Sequence, residues 1–269
     1  MCRLFGLTAG HARVLAAFWL LDAPDSLVRR TPSCGSRVRI PTARASAGST
    51  SRADRTWRSS RSPPTTTPAF ATEAHARHSA TFVAHVRKAT GTPIAPRNTH
   101  PFTLDGRIFA HNGVVGDLPR LERHLGHDMS LVRGDTDSER LFALVTREIR
   151  RAEGDVGAGI RAALAWIAAE LPVVSANAVL AEPGRLWAWR HPAAHELWVL
   201  DRAADGARLD HRSSLGTRVT SDHLADTLSV VVASERLDDG PWQLLEPGDL
   251  LAVGTDLRLE RAALLPGGS

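Results

Sequence analysis

The chain opens Met1-Cys2-Arg3-Leu4-Phe5-Gly6, so removal of Met1 would expose a residue carrying both a thiol and a free α-amine. An α-amine titrates near ~8 and can take the proton of its own side chain, so one residue supplies nucleophile and base together. The small Cys side chain suits removal of Met1 by an aminopeptidase. A cysteine at position two carries little weight alone. Three further segments hold the residue types that amide hydrolysis needs beside a nucleophile: donors for an oxyanion and charged groups that hold a substrate. They are Phe82-Val83-Ala84-His85-Val86-Arg87-Lys88-Ala89-Thr90-Gly91-Thr92, Ile108-Phe109-Ala110-His111-Asn112-Gly113, and Gly134-Asp135-Thr136-Asp137-Ser138-Glu139. Each also has a plain structural reading. Asn-Gly is the commonest hairpin dipeptide, an arginine such as Arg87 is usually a surface ion pair, and an acid such as Asp137 is favoured in the first turn of any helix.

Taken together, in this order and at these spacings, the four segments resemble the class II glutamine amidotransferases, which are N-terminal-nucleophile hydrolases. The resemblance runs from Met1 to about Leu251. It implies that Cys2 is the nucleophile, and that the Asn112 side-chain amide and the Gly113 backbone N–H form the oxyanion hole. Each such donor is typically worth ~3 kcal/mol in the transition state, and glycine lets the backbone approach. It further implies that Arg87 binds a glutamine α-carboxylate through its planar fork, that Thr90 lines the same pocket, and that Asp137 grips the α-ammonium. Gly91 stands where several relatives have His, so no role transfers to it. His85 and His111 are expected in the core or behind the site, and Asp135 and Glu139 as structural residues.

Such residues act only if the fold brings them together. The opening from Cys2 to Thr8 reads as a strand, followed by a helix over about Val14 to Leu21. Thr81 to Val86 is a short apolar β run ending where Arg87 begins a turn. Arg107 to Ala110 is another strand, broken by His111-Asn112-Gly113 as a turn signal. A helix is expected from Asp117 to Leu125. The strongest helix start is Thr136, with Glu139 three residues on as a capping box and Leu141, Leu144, Val145 and Ile149 at helical spacing. A second helix runs from about Gly159 to Leu171, before Pro172. Strands follow at Asn177 to Ala181, Leu186 to Arg190, Glu196 to Leu200, Leu228 to Ala233 and Asp249 to Val253. Helices cluster in the middle and strands at both ends, which an α+β fold with two sheets between helical layers satisfies. The resemblance implies that arrangement: a four-layer αββα sandwich, with residues 1–269 as a single amidotransferase domain.

With 269 residues the chain can bury a substantial core, and no apolar run approaches the ~20 residues of a membrane span. The stretch from Val14 to Leu21 lacks the basic flank and cleavage site of a secretory signal. Two cysteines, Cys2 and Cys34, argue against a disulfide scaffold and fit a reducing cytoplasm. The twelve histidines show no paired metal-ligand spacing, so no metal and no cofactor is expected. A pI of 10.2 would ordinarily point to nucleic acid. The charge is local, however: nine arginines against Asp54 give residues 27–67 a net +8 in a chain of +4, leaving −4 for the remainder. No RNA or DNA motif accompanies those arginines.

Residues 27–67 have no helix or strand periodicity and read by composition as a basic low-complexity insertion, most anomalous at about 30–67. At this place relatives in the resembled family carry an Asp-Gly-Trp-Gly-like stretch leading into a strand beside the nucleophile. Written in GC-rich codons and read one base earlier, Arg39 to Thr50 becomes Asp-Pro-Asp-Gly-Thr-Gly-Ile-Gly-Trp-Phe-Asp, close to the absent stretch. The expectation is therefore a compensated frameshift. The implied reaction is attack of Cys2 on the γ-amide of glutamine or a γ-glutamyl compound, with a thioester intermediate. It releases glutamate and ammonia or an amine. The partners implied are that small molecule and either a separate ammonia-accepting synthase, for a stand-alone glutaminase, or none, for a hydrolase of γ-glutamyl amides similar to the ergothioneine-pathway member of this group, with no nucleic acid and no membrane. Two other classes stand against it: a catalytically impaired pseudoenzyme or binding protein, if residues 30–67 occur as written, and a basic nucleic-acid binder.

Overall fold

The structure, a computed structural model, describes residues 3–15, 78–86, 95–202, 210–212, 218–220, 227–237 and 239–265. It opens with β1 (Arg3–Thr8), β2 (Val14–Leu15), β3 (His78–Ser79), β4 (Thr81–Val86), β5 (Phe102–Leu104) and β6 (Arg107–Val115). Three helices follow: α1 (Leu118–Leu125), α2 (Asp137–Arg151) and α3 (Val156–Glu170). The remainder is β: β7 (Val173–Glu182), β8 (Arg185–Trp189), β9 (Trp198–Asp201), β10 (Asp210–Arg212), β11 (Arg218–Thr220), β12 (Val230–Ala233), β13 (Gln243–Leu244), β14 (Asp249–Val253) and β15 (Leu259–Ala263).

Two antiparallel sheets dominate. One has the order β13-β9-β12-β1-β4, the other β15-β14-β8-β7-β6-β5. The inner strands β14, β8, β7 and β6 of the second sheet are largely buried on both faces, as a sheet covered on both sides requires, while the edge strand β15 is exposed. Ile108, Ala110, Val179, Ala181, Leu251 and Val253 pack with Leu4, Val83, Val230 and Val232 of the first sheet. The alternate residues Phe109, Ala178, Leu180, Trp189 and Leu250 pack with Phe142, Val145, Ile160 and Leu164 of the helices. This is an α+β layering, helices on a sheet and that sheet on another; the fourth layer of the expected αββα sandwich is not among the described residues. Gly6 lets the sheets meet closely, because a Cβ there would stand 2.8 Å from Val179 Cγ1.

Local chemistry explains the helix starts. Asp117 caps α1 by accepting the Arg120 N–H at 3.3 Å, and Asp155 caps α3 by accepting the Ala158 N–H at 2.9 Å. Thr136 caps α2 by accepting the Glu139 N–H at 3.2 Å. The reciprocal half of the expected box is different: the Glu139 carboxylate reaches past the cap and accepts the N–H groups of Arg133, at 3.0 Å, and Gly134, at 2.6 Å.

Two expectations are corrected. His111-Asn112-Gly113 does not break a strand: β6 continues through it to Val115, paired with β7 from Ile108↔Ala181 to Val114↔Ser175. Cross-strand pairing outweighs the Asn-Gly turn preference there. Val14–Leu15 does not begin a helix but pairs with His78–Ser79, and the rest of that expected helix lies outside the described residues. The basic segment 27–67 lies outside them entirely.

Candidate active site

Of the six residues singled out in the sequence, Cys2, Arg87 and Thr90 lie outside the described residues, while Asn112, Gly113 and Asp137 lie within them. The pairing of β1 with β4 runs from Thr8↔Thr81 to Arg3↔Val86, one residue short of Cys2 on one strand and of Arg87 on the other. Neighbouring residues tie this end of β1 to β12. Ser234 accepts the Leu4 N–H through its hydroxyl at 3.1 Å and donates its own N–H to the Leu4 carbonyl at 3.0 Å. The Arg3 guanidinium pairs with Glu235 at 2.5 Å.

Asn112 and Gly113 occupy consecutive, opposite-facing positions of β6. Asn112 continues the Ile108 and Ala110 face toward the sheet that contains β1, and is buried. Gly113 is opposite Ala176, whose N–H goes to the His191 carbonyl on the far side of β7 at 2.6 Å. Paired residues in an antiparallel ladder turn their polar groups toward each other or away together. The Gly113 N–H is therefore directed away from β7, to the edge where the pairing of β5 has stopped at Phe109. Two residues on, the Val115 N–H leaves by the same edge, and Asp137 Oδ2 accepts it at 3.0 Å. Asp137 is thus held beside the Gly113 edge of β6.

The packing of α2 on β6 sets that proximity. Phe109 and Phe142 stack with centroids 4.8 Å apart and ring planes 11° from parallel. Two residues along a strand and four along a helix each advance about 6 to 7 Å, so the next contact falls between His111 and Ser138. His111 Nδ1 is 2.9 Å from Ser138 Oγ, and His111 Nε2 is 3.1 Å from the Ser175 carbonyl. A carbonyl only accepts, so Nε2 carries a proton, and neutral His111 accepts a hydrogen bond from the Ser138 hydroxyl at Nδ1. Burial pushes the His111 pKa below its ordinary value, against the opposing influence of Asp137 and the Ser175 bond. Ser138 Oγ also lies 3.4 Å from Asp137 Oδ1.

The Ser175 carbonyl also explains the glycine. A Cβ on Gly113 would fall 1.8 Å from Ser175 O and 2.8 Å from His111 Nε2. On the other side of the α2 cap, the 95–98 turn is clasped to the 134–136 loop. Asp135 N–H donates to Asn98 Oδ1 at 2.8 Å, and Asp135 Oδ2 accepts Asn98 Nδ2 and Arg97 Nη2, both at 3.1 Å. The Asn98 amide, then the Arg97 guanidinium, hold the Asp135 carboxyl below its usual range. Asp135 and Glu139 are thus engaged by the loops around the cap. Ser138 and Ser175 were not foreseen: Ser138 had only its place in Asp-Thr-Asp-Ser-Glu as a signal, and Ser175 had none. Among the described residues, no cluster could hold a metal ion, and no helix is long and apolar enough to cross a membrane.

Residues 50–259, more than half of the chain, match the family model of the class-II glutamine amidotransferases. The chain belongs to that family. A relative provisionally named glutamine amidotransferase YafJ, from Escherichia coli (strain K12), is 28% identical over 180 residues, covering 64% of this chain and 68% of that protein. Among solved structures, a class-II domain protein from Silicibacter pomeroyi matches with a TM-score of 0.60 at 20% identity, over 98% of this chain and 100% of that one. Glutamine phosphoribosylpyrophosphate amidotransferase from B. subtilis matches with a TM-score of 0.62 at 17% identity, over 98% of this chain and 49% of that one. At these identities the structural likeness is one of fold.

Proposed function

We propose that this protein is an amidohydrolase acting on the γ-amide of glutamine or of a γ-glutamyl compound, with Cys2 as nucleophile after removal of Met1. The Cys2 thiol gives its proton to its own α-amine and attacks the γ-carbonyl. The Asn112 amide and Gly113 N–H hold the oxyanion, and ammonia or an amine leaves with the proton. Water then cleaves the thioester to glutamate and regenerates the thiol. Arg87 with Thr90 holds the α-carboxylate and Asp137 the α-ammonium. The observation that carries this reading is the Gly113 N–H directed to the same edge of β6 as the Asp137 carboxylate. An oxyanion donor and an ammonium holder are what a glutaminase must place at opposite ends of one substrate.

Residues 1–269 are proposed to form one amidotransferase domain, supplying ammonia to a separate synthase or cleaving γ-glutamyl amides on its own account. The test is intact mass before and after incubation with a glutamine-mimicking diazoketone, with Cys2→Ser as control. Loss of Met1 and one adduct that Cys2→Ser lacks supports the reading. Met1 removal without an adduct sinks it in favour of a protein that binds without catalysis. Assays on glutamine against γ-glutamyl amides then separate the two substrate classes.

A further inference from the structure

We propose that His111 is a positioning residue: clamped between the Ser175 carbonyl and the Ser138 hydroxyl, it locks the first turn of α2 against β6 and thereby sets where Asp137 stands relative to Gly113. This rests on the reading of Asp137 as the holder of the substrate α-ammonium. Three contacts in antiparallel register tie α2 to β6. The Phe109–Phe142 stack is apolar and sets the separation of the two elements without fixing a slide along the strand. The Val115 N–H to Asp137 Oδ2 bond engages the carboxylate itself, and leaves only part of its acceptor capacity for a ligand. The His111–Ser138 contact lies between them, and its serine hydroxyl stands 3.4 Å from Asp137 Oδ1, so the joint reaches the carboxylate from the helix side.

His111 is suited to this because its own position is fixed from behind. Its Nε2–H meets a backbone carbonyl of β7, the strand whose close approach also excludes a side chain from Gly113. His111 and Ser138 are 2% and 4% exposed, so water does not replace a lost contact and leaving one partner unpaired is costly. Oxyanion strand and ammonium helix therefore share one buried joint. A shift of the α2 start would move Asp137 while leaving Asn112, Gly113 and their strand in place.

The test compares two ligands on the full chain by titration calorimetry: L-glutamate, and glutarate, which keeps both carboxylates and lacks the ammonium. Wild type is expected to prefer L-glutamate. In Ser138→Ala the affinity for L-glutamate is expected to fall about tenfold while that for glutarate stays within about twofold, the loss of one buried hydrogen bond. Ser138→Thr, which keeps the hydroxyl, restores the preference. Asp137→Asn removes it altogether. Should Ser138→Ala not fold, His111→Gln carries the same comparison. A Ser138→Ala protein that binds both ligands as wild type does, or weakens both in parallel, overturns the proposal and leaves the Asp137 reading standing. Retention of the full preference by Asp137→Asn, or binding of neither ligand by wild type, overturns that reading and the proposal with it.

Discussion

Replacing Gly113 with alanine tests the placement of β6 on β7 without reference to any activity. The added Cβ would stand 1.8 Å from Ser175 O and 2.4 Å from the Ser175 carbonyl carbon, both backbone atoms. Ordinary C···O contacts begin near ~3.3 Å, so β7 must recede by about 1.5 Å over part of its pairing with β6. Overpacking of this kind costs about 1–3 kcal/mol, and the upper end applies because the obstacle is main chain rather than a side chain that can rotate. Recession also breaks the 3.1 Å bond from His111 Nε2 to Ser175 O inside the core, which adds about 1 kcal/mol. The expected loss is about 3–4 kcal/mol, or a fall in melting temperature of about 10 °C for a chain of this size. Gly106→Ala and Gly126→Ala are the controls. Both have positive φ, +77° and +56°, with no atom within 4 Å of the new Cβ, so each carries a backbone penalty alone, about 1–2 kcal/mol for left-handed backbone and about 1–3 kcal/mol at Gly126, whose ψ of −120° lies outside that region. Urea denaturation followed by circular dichroism, with m-values compared, measures all three. A Gly113→Ala protein no less stable than Gly106→Ala would refute the pairing of Gly113 with Ala176 and the account of Ser175 built on it.

Stability should decline below pH 6.5, because burial depresses the folded pKa of His111, as well as those of His124 and His191, so the unfolded chain binds protons first. The contribution is complete above 6.5 and is lost as the pH falls toward the depressed folded values. His111→Gln should make the slope shallower, by at most one proton or about 1.4 kcal/mol per pH unit, and an unchanged slope between pH 6.5 and 5.5 would contradict this. Glu139→Ala should cost about 2–3 kcal/mol in urea denaturation, since it leaves the Arg133 and Gly134 N–H groups without their acceptor. A loss below 0.5 kcal/mol would show that the loop finds other partners. If the frameshift is a sequencing error, resequencing the gene should reveal a slip at each end of codons 30–67, and an unbroken confirmed frame would remove that version of the explanation.

What could be read from the sequence was what local chemistry decides. Thr136 with Glu139 marks a helix start whatever the surroundings, and α2 begins at Asp137. Thr81 to Val86 is apolar and β-branched enough to be a strand in almost any context, and β4 has those bounds. His111-Asn112-Gly113 misled because turn preference belongs to the dipeptide, whereas strand continuity belongs to β7, more than sixty residues away. Val14–Leu15 was lost for the same reason, since its partner His78–Ser79 is equally remote. Glu139 was identified as part of a cap, but its acceptors' partners depend on how the 133–134 backbone folds over the helix start.

Gly113 shows how one glycine can be wanted for two different reasons. Read locally, it is a turn glycine, wanted for a positive φ. In the structure it lies within a nine-residue strand and is absent from the positive-φ glycines. Its missing Cβ is needed because the Ser175 carbonyl occupies that space, one ladder pair from the register shift at Val114/Val115. The same carbonyl fixes His111, and His111 meets the helix that presents Asp137. Nothing in the spacing of Gly113, Ser138 and Ser175 along the chain foretells this, because strand pairing and helix packing bring the three together. The family resemblance supplied the names of the candidate residues. The geometry supplies the reason that Asn112-Gly113 and Asp137 belong to one arrangement: the strand and the helix are keyed to each other through a buried imidazole.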